Sequence, residues 1–224
     1  RVALAYNLKS DVSLKASYAT MNQYVHLLST SGVGLPTDLW VPATDLIKPQ
    51  NSQQVAVGMA KDFEKQNFSL TVEGYYKTMN NIIGYKEGAS FLAIQESDEG
   101  LESISWEENV TSGKGTSYGA EVLLQRKQGR LTGWAGYTLS WTTHQFDELN
   151  NGKKFFARYD RRHDISLVGV YELKENITLS ATWVYGTGNA ITLPISTYQT
   201  SELSNVSSPS RDNFYRANGT EYTD

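Results

Sequence analysis

Three histidines, an acidic run and one dense charged hexapeptide carry most of the reactive side chains in this 224-residue chain. His26, His144 and His163 lie far apart, and none has a second ligand at i, i+4, so a zinc site would need folding to gather them. Imidazoles at loop bases beside water are the commoner reading. The acidic residues Glu96, Asp98, Glu99, Glu102, Glu107 and Glu108 offer oxygens to calcium. They lack the spaced Asp-x-Asp-x-Asp-Gly loop and read as solvated surface. The run Tyr159, Asp160, Arg161, Arg162, His163, Asp164 reads as a structural corner with Asp and Arg paired. No Gly-x-Ser-x-Gly elbow occurs, and no spacing fixes a Ser-His-Asp set. Gly186 and Gly188 precede a Ser/Thr-rich stretch rather than a helix, so they cradle no phosphate. Trp40 and Trp106 lie inside long connections and His144 near the edge of one. These three are the candidate ligand-binding residues, with interface anchoring and loop packing as the alternative for the tryptophans. No catalytic residue, metal ligand or cofactor is expected.

Composition narrows the elements that must position them. Cysteine is absent, which excludes disulfides and thiolate chemistry, and the net charge of −4 recruits no nucleic acid. Hydrophobic residues are 39% of the chain, and no run approaches the ~18 apolar residues of a membrane helix. A transmembrane β-barrel is compatible with this, because only alternate residues meet lipid. The aromatic share of 12% suits interfacial girdles, although Tyr and Trp are also good strand formers.

Apolar residues recur at every second position from Gly115 to Tyr185. Tyr118, Ala120, Val122 and Leu124 alternate with Ser117, Gly119, Glu121 and Gln125. After a short turn at 127–130, Leu131, Ala135, Tyr137, Leu139 and Trp141 alternate with Thr132, Gly136, Thr138 and Ser140. That period predicts strands with one apolar and one polar face. The same reading predicts strands over 2–7, 12–20, 53–61, 68–77, 165–171 and 177–185, with short turns at 8–11, 64–67 and 174–176. The connections at about 22–52, 87–114 and 146–160 are long and polar, the first holding Pro36, Pro42 and Pro49. Strands of this length, with short turns at one end and long loops at the other, predict an all-β, antiparallel, up-and-down transmembrane barrel. Leu70, Val72, Val122, Leu124, Leu139, Leu167 and Leu179 are expected to face lipid, and Glu73, Glu121, Gln125 and Thr138 the lumen. The turns near Lys9, Lys65, Gln128 and Glu175 are expected on the periplasmic side. The loops near Pro42, Asp98 and Asn150, and the tail past Gly186, are expected outside.

Four stretches together resemble the barrel of a TonB-dependent outer-membrane transporter. They are GLPTDLWVPATDLIKPQNSQQVAVGM (34–59), SYGAEVLL (117–124), GRLTGWAGYTLSWT (129–142) and FDELNNGKKFFARYDRRHDISLVGVYEL (146–173). The resemblance covers residues from about 1 to 194. It implies about eight strands of a larger barrel of about 22, with a plug domain filling the lumen. Residues 1–224 are then one section of a single barrel domain, with plug and remaining strands elsewhere in a longer precursor. The implied function is energised uptake of a scarce nutrient: an iron chelate, haem, corrinoid, glycan or peptide. The implied partners are outer-membrane lipid, the nutrient, the plug, the inner-membrane coupling protein TonB acting through the plug, and a surface lipoprotein. Two other readings stay open: a self-contained eight-stranded barrel with an adhesive or structural role, and an outer-membrane enzyme, for which no converging catalytic set is seen.

Overall fold

The computed structural model describes residues 1–28, 39–86, 89, 106–190, 193–194 and 220–221. The expected acidic residues Glu96, Asp98, Glu99 and Glu102, Pro36, and most of the tail past residue 190 lie outside these. The predicted strands all form. They are β1 (Val2–Lys9), β2 (Val12–Gln23), β5 (Gln50–Phe63), β6 (Phe68–Tyr85), β7 (Val110–Arg126), β8 (Leu131–Phe146), β10 (His163–Lys174) and β11 (Ile177–Gly186). They pair antiparallel in chain order, and a two-residue strand, β9 (Phe155–Phe156), adds to β8 to make a nine-stranded sheet.

Three departures from the sequence reading have physical reasons. The connection after β2 is not all loop: β3 (Val25–Leu28) and β4 (Leu39–Pro42) form a hairpin of their own. Pro42 is tolerated there because it ends a short strand and owes no ladder bond beyond it. Strand β7 begins at Val110, earlier than its glycine-rich start suggests, because β6 and β8 both extend alongside and pair with it. Its register with β6 slips once, at Asn81, which takes a φ of 57° and donates through Nδ2 to Pro49 O at 3.0 Å. That is a β-bulge, with Asn supplying the left-handed residue. Finally, β12 (Leu193–Pro194) and β13 (Thr220–Glu221) pair at the backbone where only loop was expected.

The register settles which residues share a face. One row crosses all eight main strands: Tyr6, Leu14, Met59, Val72, Val122, Tyr137, Ile165, Tyr185. The row beside it, on the opposite face, reads Ala5, Lys15, Gly58, Glu73, Glu121, Thr138, Asp164, Gly186. The seven residues expected outward lie on the first face and the four expected inward on the second. Nearer the long-loop end, Tyr76, Tyr118 and Trp141 stack in sequence on the apolar face, with centroids 6.5 and 5.3 Å apart. Among the described residues, β1 and β11 each pair on one side alone, so the sheet is open. This removes the support for a self-contained eight-stranded barrel.

Each face implies a different response to charge. Val122→Arg, on the apolar face, is expected to cost about 2–4 kcal/mol of folding in lipid, whereas Glu121→Leu costs little. Urea titration of the full barrel in vesicles measures both. A tolerated Val122→Arg beside a Glu121→Leu that cannot assemble would invert the faces.

Candidate functional site

The long-loop end of β8 gathers the densest set of aromatic side chains on the polar face. His144 and Phe146 project from the same side of β8. Opposite them on β7 stand Gly115 and Gly113, their direct register partners. A Cβ on Gly113 would sit 2.5 Å from the Phe146 ring, and one on Gly115 would sit 2.8 Å from Met79 Cε and 3.3 Å from the His144 ring. The two glycines therefore provide the space into which these rings lie. Phe146 is buried with Met79, Ile82 and Leu149, and Phe155 from β9 packs against that group. Phe146 and Phe155 stack at 6.0 Å. His144 meets Phe146, Phe155 and Tyr159 edge-on at 6.2, 6.3 and 5.9 Å. Edge-to-face packing of this kind contributes about 0.5–1.5 kcal/mol per pair beyond area. The imidazole Nε2 also lies 3.3 Å from the Tyr159 hydroxyl.

β8 has 16 residues, more than the ~9–11 a tilted spanning strand needs, and His144 is third from its far end. Among these rings, burial lowers its pKa from 6.5 to about 4. The ring is therefore neutral at neutral pH. It offers a ligand a hydrogen bond and a flat face, and no ion pair.

The loop that returns to β10 is fixed by a polar corner. Ala157 N donates to Thr142 O at 2.9 Å, and Thr142 N donates to the Asp160 carboxylate at 2.5 Å. Ser140 N donates to Arg162 O at 3.1 Å. The Asp160 side chain thus takes the place of a strand carbonyl where the chain leaves the ladder. Asp160 is 7% exposed and pairs with Arg162 at 3.3 Å. The Arg162 guanidinium in turn lies 4.7 Å over Trp141 and 4.9 Å over Phe156. A second pair, Arg161 to Asp164 at 3.2 Å, is more exposed. The charged hexapeptide is the structural corner that its composition suggested.

The three candidate residues are not brought together. Trp40 is 63% exposed on β4, opposite Leu27. Trp106 is half-buried against Leu28, Val41, Ile47 and Val110, with Ile83 and Tyr85. By register Val110 and Tyr85 belong to the apolar face, so this core and the His144 cluster lie on opposite sides of the sheet. The histidines also separate: His26 is in the β3–β4 hairpin, and His163 bonds Tyr137 Oη at 2.9 Å on the apolar face. Sequence reasoning missed Phe146, Phe155, Gly113 and Gly115. The signal available was two glycines at alternate positions, 113 and 115, facing two rings at 144 and 146.

The comparisons with known proteins now bear directly on this sheet. The sequence matches the family described as TonB dependent receptor-like, beta-barrel, over residues 1–220. The chain belongs to that family. No curated protein matches the sequence. Among solved structures, it resembles the FpvAI–pyocin S2 complex at 15% identity and a TM-score of 0.56, over 85% of this chain and 23% of that one. A second is Pseudomonas aeruginosa FpvA bound to a heterologous pyoverdine, at 14% identity and a TM-score of 0.52, over 85% and 23% of the two chains. The Pseudomonas aeruginosa outer-membrane ferripyoverdine receptor bound to ferripyoverdine gives 13% identity and a TM-score of 0.51, over 85% and 25%. At such identities the likeness is one of fold. The chain spans about a quarter of the length of these receptors.

Within this TonB-dependent receptor barrel, the glycine spacing makes a prediction. Gly115→Val is expected to push His144 and Met79 apart and to raise proteolysis in 147–162 several-fold while leaving the barrel folded. Limited proteolysis of the purified full-length receptor reads this, and an unchanged digestion pattern would show that the space under His144 is not needed.

Proposed function

We propose that the chain forms part of the wall of an outer-membrane importer for a large, scarce nutrient, and that the His144 cluster is one of its ligand contacts. The observation that carries this is the placement of His144, Phe155 and Tyr159 on the polar face, at the long-loop end of a TonB-dependent receptor barrel. Flat, neutral rings there suit a bulky ligand with apolar or aromatic surface. Trp40, exposed on its hairpin, is a second contact of lower weight, while Trp106 serves packing. Leu123 and Trp134 are 39% and 38% exposed on the face that carries Glu121 and Thr138, near the short turns, where a plug domain of the same precursor would cover them. Coupling to TonB then runs through that plug, and the apolar face meets outer-membrane lipid. Ferric chelates are the first ligand class to test, since two of the similar receptors are bound to pyoverdines.

The orientation follows from loop length, with long loops outside. Glu148, in the β8–β10 loop, forms an exposed pair with Lys86 at 3.8 Å, a contact of little worth, so cysteine replaces it at little cost. Glu148→Cys in the full-length receptor is expected to react with an impermeant maleimide in whole cells. Labelling only after outer-membrane rupture would reverse the orientation. For the function, a deletion strain is grown on ferric chelates, haem, corrinoids, glycans and peptides as limiting sources. Growth should fail on one class, be restored by the wild-type gene, and be restored only weakly by His144→Ala. Equal growth on every source would defeat the importer reading. Full rescue by His144→Ala would defeat the assigned contact alone.

A further inference from the structure

His26 is 2% exposed, and among the described residues neither ring nitrogen has a hydrogen-bond partner. It sits on β3 directly opposite Val41 and shares a side with Leu28, both members of the core beneath the hairpin. That core joins the hairpin to the outer side of β6 and β7 through Ile83, Tyr85 and Val110. The hairpin is a separate two-stranded sheet, with no ladder to the main one. Its attachment is therefore mainly side-chain packing, and it can leave without unzipping the barrel. The same core encloses the Tyr85 hydroxyl, also without a partner.

We propose that the β3–β4 hairpin is an acid-released flap, in which protonation of His26 frees its buried side from the outer wall of β6 and β7. A neutral imidazole fits an apolar core, whereas an imidazolium there has two donors, and the Lys48 backbone carbonyl is the one acceptor near enough to meet either of them. The ionisable groups along the surrounding elements are Tyr85 on β6 and Lys86 just after it, Lys114 on the Val110 face of β7, Asp45 and Lys48 on the segment after β4, and Glu107 and Glu108 beside Trp106. No side chain among them bonds either ring nitrogen. Burial lowers the His26 pKa below 6.5, and the nearby Lys48 backbone opposes this in part. The released hairpin binds the proton more tightly than the docked one, so docking is strongest above 6.5 and weakens as pH falls below it. Release exposes Leu28, Val41 and Ile47.

The test is amide hydrogen exchange of the full-length receptor in detergent at pH 7.5 and 5.0, corrected for the chemical exchange rate. Opening of 25–28 and 39–42 should rise on acidification by up to about tenfold per pH unit below 6.5. Peptides from β10 and β11 should keep their protection. In His26→Phe the hairpin should stay closed at both values. Equal protection of the wild type at the two pH values would overturn the proposal, as would an acid response that His26→Phe retains. Loss of protection across β10 and β11 at pH 5.0 would also overturn it, by showing that the whole barrel opens.

Discussion

Asp160→Ala is expected to destabilise the long-loop end of β8 by about 3 kcal/mol, the sum of one charge-assisted hydrogen bond and a stranded partner. The variant removes the acceptor of the backbone amide of Thr142, a residue 8% exposed, and the counter-ion of Arg162. Arg162 already keeps its Nη1 buried without a partner, and the corner's other carboxylate, Asp164, is paired with Arg161 at 3.2 Å. Its remaining support is the pair of rings at 4.7 and 4.9 Å. Asp160→Asn retains an oxygen for Thr142 N and should cost less than half as much. Hydrogen exchange of 140–146 and 155–162 in the folded receptor measures the difference. Unchanged exchange in Asp160→Ala would mean that the carboxylate is decorative.

Residues 1–224 expressed alone are expected to give no stable closed barrel. Among the described residues, strands β1 and β11 are the two ends of the sheet, and each presents a row of unpaired backbone groups. In hydrocarbon each such group costs several kcal/mol, so an open sheet cannot remain in a bilayer. Closing β1 against β11 would give eight strands of very unequal length, 8 residues in β1 against 18 in β6. Refolding in detergent should therefore give aggregates or species with no heat-dependent shift in gel mobility. A compact monomer that shifts on heating and has full β-sheet circular dichroism would refute this and restore the small-barrel reading.

The wall of the barrel was legible because a strand between water and lipid leaves a period of two. Val72 and Glu73, or Val122 and Glu121, show it without any structure. The short turns were legible for a similar local reason: Asn67 and Gly129, both at positive φ, end alternating runs. The site was less so. His144 was a candidate from its position, but Phe155 becomes its neighbour only because β9 pairs back onto β8. Gly113 and Gly115 matter through what faces them one strand away, and that requires register. His26 looked like a loop-base imidazole at the water interface, since nothing local announces that a four-residue strand will fold back over the wall. Packing between elements distant in sequence carries these facts, and periodicity does not encode it.

The main strands pair in the order in which they are made, each with its predecessor. Every long connection therefore joins two strand ends that the ladder already holds side by side. The entropy of closing such a loop grows only with the logarithm of its length, so doubling a connection costs about 0.6 kcal/mol. A lineage can lengthen, shorten or rewrite the segments after β2, β6 and β8 while the wall keeps its register. The His144 ring cluster sits at the end of one of those segments. The architecture thus separates the part of the molecule that must be inherited intact from the part that is free to be rewritten.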